Sequence, residues 1–484
     1  MSKSFDADSH AQFAALSGDF NPMHMDVVAA RRTQAGAPVV HGMHTLLWLL
    51  DSVAARQRGL PKLVGLKARF LKMVYVGERV DAEIMQSSAS ALRARALVDG
   101  IEVVSLSLEF VPSSRPALPL LSVPALGPGS AATPTPSSPL DLSIEQMAGR
   151  SGTLRFSASR AAVVRLFPSA AEYLGTSRIA ALACTSCLVG MVVPGLHSLF
   201  GGLELSMDEG SEASDVLGYA VTSVDQRYRL VRLAVRGGGL AGSLDSASRL
   251  PPVKQAEMAA VAPHMAGNEC RGALALVVGG SRGIGELTAK LVAAGGGHVI
   301  VTYRHGQTDA EAVAREIEAW GGNCGTAAYD ARQDAAPQLA RLAQAPTHVY
   351  YFATPTIFGR KSGLCDARRL DEFNAFYVTG FLGLVEACRK LRPAGVSAFY
   401  PSTVYVESRP AEMTEYAMAK AAGEILCADM HKYLRGVRVI ARRLPRLPTD
   451  QTNSLLPTGT ADALEVMAPI VRDMHATPSS GGPS

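Results

Sequence analysis

Apolar residues recur along this chain in two distinct rhythms. From the N-terminus to about residue 250, wholly apolar blocks precede long runs in which charged residues punctuate apolar ones. "TLLWLL" (45–50) has no polar face, and Ile179 to Leu203 carries no Asp, Glu, Lys or Arg. By contrast, "KLVGLKARFLKMVYVGERVDAEI" and "DVLGYAVTSVDQRYRLVRLAVRG" read as strands. A helix lacking a polar face is buried all round, as it is when a curved antiparallel sheet wraps it. From Ala273 the rhythm changes to short apolar runs such as "ALALVV" and "HVIVTY", alternating with helical segments. That alternation predicts a parallel sheet with helices on both faces.

The first half also predicts an internal repeat. "VVHGMHTLL" from Val39 matches "VVPGLHSLF" from Val192 at a constant offset, and the two strand-like stretches follow in the same order. Composition places the boundaries. "ALGPGSAATPTPSSPL" is a Pro/Ser/Ala/Gly linker over 125–140, a looser boundary spans 251–271, and "TPSSGGPS" marks a disordered tail over 476–484. The remaining segments are 1–124, 141–250 and 272–475.

Charge and cysteine content narrow the function classes. A net charge of +4 without a Lys/Arg block gives no nucleic-acid footprint. The start, "MSKSFDADSHAQF", has no apolar core of signal-peptide length. The charge-free stretch from Ile179 is interrupted by Pro194-Gly195 and Gly201-Gly202, against a membrane span. The seven cysteines include one "CTSC" without a second pair, so no metal site is expected and a cytoplasmic chain with reduced thiols is.

The candidate chemistry begins at "SGDFNPMH", where Asp19 and His24 flank an Asn-Pro turn. With "VVHGM" downstream, this stretch resembles the MaoC-like, (R)-specific enoyl-thioester hydratase/dehydratase family, whose fold is the hot dog. The second copy resembles the degenerate half of double-hot-dog members, keeping "FPSAAEYLG" and "PGLHS" but no dyad. The resemblance implies that Asp19 and His24 move protons during syn addition or loss of water beside a thioester. It also implies that a backbone N–H near Gly42 holds the developing enolate oxygen. Asn21 and Pro22 shape the turn. His41 is expected to be structural and His197 to lie in a core helix.

In the second half, Gly279, Gly283 and Gly285 have the G-x-x-x-G-x-G spacing, between a strand and a helix. With "TEYAMAK", the segment resembles the short-chain dehydrogenases/reductases, a Rossmann-type doubly wound fold. The resemblance implies cofactor binding by Gly279, Ser281, Arg282, Gly283, Ile284, Gly285 and Lys420, with Asp330 at the adenine. Arg304, nineteen residues beyond Gly285 where NAD-specific sites carry an acid, favours NADP(H) over NAD(H). Tyr416 and Lys420, one helical turn apart, are the proton-transfer pair, with Lys420 expected to lower the phenol pKa. Ser402 or Thr403 orients the carbonyl. Departures from the family pattern are Val278, "YFAT" at 351–354, Tyr377 in place of an asparagine, Leu444-Pro445, and no clear final strand.

The expectation is therefore an α+β double hot dog followed by an α/β Rossmann domain. Such a chain would be a homo-oligomeric oxidoreductase and hydro-lyase acting on an acyl thioester of coenzyme A or acyl carrier protein. Alternatives are a dehydratase/hydratase whose nucleotide-binding domain is catalytically weakened, and the same chemistry on a polyketide or other non-fatty substrate.

Overall fold

The computed structural model describes residues 1–57, 59–111, 135–156, 159–211, 214–360, 363–453 and 459–476. The expected linker lies outside the described residues up to 134, and the expected tail from 477 onward. The described residues divide into two compact units, one up to Pro251 and one from Pro252 onward.

The first unit is built on one ten-stranded antiparallel sheet. Its strands are β1 (Ser2–Ser4), β2 (Leu63–Phe70), β3 (Arg79–Ser87), β4 (Ala91–Val98), β5 (Ile101–Phe110), β6 (Ser151–Arg155), β7 (Ser198–Met207), β8 (Val216–Asp225), β9 (Leu230–Gly237) and β10 (Leu240–Ser248). They run in the order β1-β3-β4-β5-β2-β7-β10-β9-β8-β6. The order reads identically from either edge once β1–β5 are matched to β6–β10, so the sheet is two equivalent halves joined at β2 and β7. At that seam Arg69 faces Gly202, where a Cβ would stand 2.7 Å from the Ala68 carbonyl.

Each half wraps one apolar helix. The first, Gly42–Arg56, buries every residue from Met43 to Leu50. The second, Thr176–Cys187, buries every residue from Ile179 to Cys187 and widens into a π-turn over Leu188–Val192. In β4 the pattern Leu92, Ala94, Ala96, Val98 faces inward with Arg93, Arg95 and Leu97 between them, as a one-sided strand requires. These faces form a single core containing Leu47, Trp48, Leu106, Leu182 and Leu233.

The repeat is present, but its register differs from the one the sequence suggested. "VVHGMHTLL" leads into the first helix, whereas "VVPGLHSLF" leaves the second helix and enters β7. Likewise, residues 62–84 contain β2 and the first part of β3, while 215–237 contain β8 and β9. By sheet position the counterparts of β2 and β3 are β7 and β8. Alternating strands match one another at many offsets, because a two-residue period carries little register information.

The charge-free stretch from Ile179 is thus a buried helix followed by a turn and a strand. Among the described residues no single helix is long and apolar enough to cross a membrane.

The second unit is a six-stranded parallel sheet of β11 (Leu274–Val278), β12 (His298–Tyr303), β13 (Asn323–Ala328), β14 (His348–Tyr351), β15 (Val396–Thr403) and β16 (Val437–Leu444). The order is β13-β12-β11-β14-β15-β16, which reverses direction between β11 and β14 and opens a crevice there. Among the described residues no strand follows β16. Among the described residues the last element is the helix Ala463–His475.

Candidate active sites

In the first unit, helix Ala7–Ser17 ends at Gly18 in the left-handed conformation (φ 78°), and the chain turns sharply into the dyad. Asp19 is 2% exposed. Its Oδ1 accepts from the Asn21 N–H at 3.1 Å, and its Oδ2 accepts from Ser186 Oγ at 2.7 Å. Asn21 caps the short helix Pro22–Met25 through the Met23 N–H, which points His24 back across the turn. His24 Nδ1 lies 2.7 Å from the Val39 carbonyl. That acceptor assigns the proton to Nδ1 and leaves a lone pair on Nε2.

Electrostatics prepare the pair for proton transfer. Burial raises the Asp19 pKa against the opposing pull of His24, Ser186 and the Asn21 N–H. Burial also lowers the His24 pKa, with Asp19 acting the other way. The two shifts move toward each other, which eases exchange of a proton between them.

His41 Nε2 donates to the Asp19 carbonyl at 3.0 Å and lies 3.8 Å from Asp19 Oδ2. Gly42 follows it as the first residue of the core helix. A Cβ on Gly42 would stand 2.9 Å from the Phe70 ring, so only glycine fits at the positive end of that helix beneath the ring. Asp19, His24 and Gly42 are therefore brought together. His10, His24 and His41 offer ring nitrogens within 4.8 Å of one another, the one such trio among the described residues. His24 and His41 stack face to face at 3.9 Å, so they do not converge edge-on upon a common cation.

The second half of the sheet supplies groups that sequence reasoning missed. Ser186 comes from the charge-free helix. Asn21 Nδ2 reaches the carbonyls of Gly190, Gly195 and Leu196 at 2.8, 3.2 and 3.3 Å, so the turn is tied to the end of that helix. The only available signal was a buried hydroxyl inside "CTSC". The two cysteines are reduced and buried, and burial pushes the Cys184 thiol up to about 12. His197 departs from expectation. It lies in the turn before β7, with Nε2 3.3 Å from Asp141 Oδ1, because the helix ends at Val192.

In the second unit, the loop from Gly279 to Gly285 joins β11 to helix Gly283–Ala294. Gly279 has φ 77°, and its N–H donates to Thr302 Oγ1 at 3.2 Å. A Cβ on Gly285 would lie 2.3 Å from the Gly279 carbonyl, so the helix N-terminus closes onto the loop as a pyrophosphate cradle requires. Ser281 is buried in this loop, while Arg282 Nη1 lies 3.1 Å from Asp450 Oδ2. Ile284 packs against the core beneath the loop. Arg304 and Asp330 meet each other, Nε to Oδ2 at 3.0 Å, as neighbours at the ends of adjacent strands.

Tyr416 and Lys420 share a face of helix Thr414–Tyr433. The Thr403 hydroxyl acts on Tyr416, drawing its phenol pKa down against burial, whereas Ser402 Oγ donates to Glu424 at 2.5 Å. The structure thus groups Thr403 with the tyrosine and turns Ser402 away. The expected lowering of the phenol pKa is absent: burial pushes Tyr416 up to about 12. Lys420 Nζ instead donates to the Pro401 carbonyl at 2.6 Å and lies 3.9 Å from the Tyr377 ring centroid, but 6.0 Å from that of Tyr416. Burial brings Lys420 down to about 7. Tyr377, in place of the asparagine, bonds Thr354 through its hydroxyl at 2.5 Å.

Known families match segments of both units. The MaoC like domain family matches residues 2–104, and the short chain dehydrogenase family matches residues 273–457. The chain joins a MaoC-like domain to a short-chain dehydrogenase domain. An (R)-specific enoyl-CoA hydratase of Aeromonas caviae is 41% identical over 88 residues, covering 17% of this chain and 63% of that protein. The match therefore spans less than two thirds of the relative's length. Among solved structures, a short chain dehydrogenase from Burkholderia cenocepacia in complex with NADP is 24% identical. It covers 43% of this chain and 93% of its own, with a TM-score of 0.38. A 3-oxoacyl (acyl-carrier-protein) reductase from Agrobacterium tumefaciens with NADP bound is 18% identical, covering 42% and 88%, with a TM-score of 0.38.

Proposed function

We propose that the protein is a bifunctional 3-oxoacyl-thioester reductase and 3-hydroxyacyl-thioester dehydratase, its second activity reversible as an enoyl hydratase. The observation that carries this reading is the buried Asp19, on one turn with a neutral His24 and near the helix start at Gly42. In hydration, Asp19 orients a water whose proton passes to His24 Nε2 as its oxygen bonds Cβ. The Gly42 end of the helix stabilises the negative charge on the thioester oxygen until the imidazolium formed at His24 gives that proton to Cα on the same face, which leaves His24 neutral again. Dehydration reverses these steps and releases water from a 3-hydroxyacyl thioester.

The glycine loop, with its closed approach of Gly285 to Gly279, fits a nicotinamide dinucleotide, which when bound supplies or accepts hydride. The chain's own residues would then orient the substrate carbonyl through Thr403 and move the proton at its oxygen through Tyr416 Oη. Arg304 is 44% exposed and would exchange its Asp330 contact for a 2′-phosphate, which favours NADP(H) and the reductive direction. The acyl group would travel on coenzyme A or acyl carrier protein.

A second reading has a specific observation behind it. Lys420 lies against Tyr377 and leaves Tyr416 with a raised pKa, which suits a nucleotide-binding domain weakened in catalysis. One assay separates the two. With acetoacetyl-thioester, the parent should oxidise NADPH and yield the enoyl product. Tyr416→Phe should stop the oxidation while crotonyl-thioester hydration continues. Tight NADPH binding without turnover of any 3-oxoacyl thioester would favour the weakened domain.

A further inference from the structure

A buried cation stands beside the dyad without a counter-charge. Arg249 follows β10 and is 9% exposed. Its backbone N–H donates to the His197 carbonyl at 2.6 Å, and its Nη2 donates to the Leu196 carbonyl at 3.1 Å. Its Nε is buried with no hydrogen-bond partner. Among the described residues no carboxylate pairs with Arg249. Asp141 is taken by His197, and Arg229 adds a second guanidinium, with Nη2 3.3 Å from the Arg249 carbonyl. Burial brings the Arg249 pKa down only to about 10, so it stays charged near neutrality.

Holding a charge out of water without a partner is costly. The position of this charge tells where a partner would come from. The Leu196 carbonyl that accepts from Arg249 also accepts from Asn21 Nδ2, so guanidinium and catalytic turn share one oxygen. The charge also acts on His24, holding its pKa down. A plain capping role, neutralising the carbonyls beyond the second core helix, employs Nη2 and leaves Nε without purpose.

We propose that Arg249 binds an anionic group of the thioester substrate, either a carboxylate on the acyl chain or a phosphate of the carrier. The inference rests on the hydratase reading, and it makes the degenerate half of the sheet a source of substrate specificity. The test compares crotonyl-coenzyme A, crotonyl-N-acetylcysteamine and the N-acetylcysteamine thioester of glutaconate. These carry phosphates alone, neither anion, and a carboxylate alone. In Arg249→Gln the KM for one charged substrate should rise at least about tenfold more than for the uncharged one, the scale of a lost charge-assisted bond. Arg249→Lys should recover part of the loss. The substrate that responds identifies the anion. Equal loss on all three, or loss on none, would overturn the proposal and leave a structural cap. Calorimetry with glutarate and with inorganic phosphate gives a readout independent of turnover. Binding of one of them by the parent and not by Arg249→Gln supports the site. Binding of neither, or equal binding by both proteins, rejects it. A parent that binds the anion yet hydrates none of the thioesters would defeat the hydratase reading alone.

Discussion

At the scale of single residues, the proposed hydratase chemistry rests on Asp19 and His24. Asp19→Asn and His24→Ala should each lower crotonyl-thioester hydration by at least about a hundredfold, the contribution of a positioned acid or base. NADPH binding should be untouched, and near-parental hydration by either folded variant would refute the assignment. The dyad was legible because both groups lie within six residues of a turn whose chemistry is local. Ser186 was not, since its bond to Asp19 crosses 167 residues. The same limit explains Ser402 and Thr403: adjacent residues on a strand point to opposite faces, and only the fold shows which one meets Tyr416. Ser186 makes its own prediction. Its donated bond helps keep Asp19 ionised, so Ser186→Ala should raise the Asp19 pKa further. The acid limb of kcat/KM should move to higher pH and kcat fall about tenfold, near the worth of a bond to a buried charge. Ser186→Thr should restore both, and a Ser186→Ala profile superimposable on the parent's would exclude the role.

At the scale of elements, the two apolar helices were readable because neither has a polar face, and each is surrounded as that requires. The parallel sheet was readable from its alternating rhythm and its glycine loop. The register of the repeat was not, because the two halves preserve their strand order far better than their residues. What the elements add is contact between the halves. The second core helix approaches the catalytic turn so closely that a Cβ on Gly190 would lie 2.4 Å from Asp19 Oδ1. Gly190 sits in the π-turn, whose wider bore exposes backbone at that point. Gly190→Ala must therefore displace the carboxylate or the helix. Hydration should fall by at least about tenfold, in line with a misplaced catalytic group, while NADPH binding in the second unit persists. Full hydratase activity in this variant would mean that Asp19 tolerates movement and is not held in place by the second half.

At the scale of the whole molecule, both units bury imidazoles that folding keeps neutral. In the first, burial lowers His10 to about 4 and takes His41 and His44 well below their ordinary value. In the second, burial lowers His348 to about 4 and His475 to about 3. A base whose folded pKa lies below its unfolded value binds more protons when unfolded, so stability rises with pH across the interval between the two. For these groups the contribution is complete above about pH 6.5, the unfolded imidazole value, and is lost as pH falls toward 4. His10 alone, shifted from 6.5 to about 4, accounts for roughly 3 kcal/mol at about 1.4 kcal/mol per pH unit. Carboxylates with lowered pKa, such as Glu424, give up stability only nearer their own unfolded range, about pH 4 to 5. Thermal unfolding should therefore show a Tm that is steady between pH 7 and 8, so far as these groups govern it, and that declines from about pH 6.5, before the carboxylates titrate. His10→Phe should flatten part of that decline, because the first unit would then unfold without taking up that proton. A Tm unchanged from pH 7 to 5 in the parent would show that the imidazoles gain no protons on unfolding, contrary to their burial.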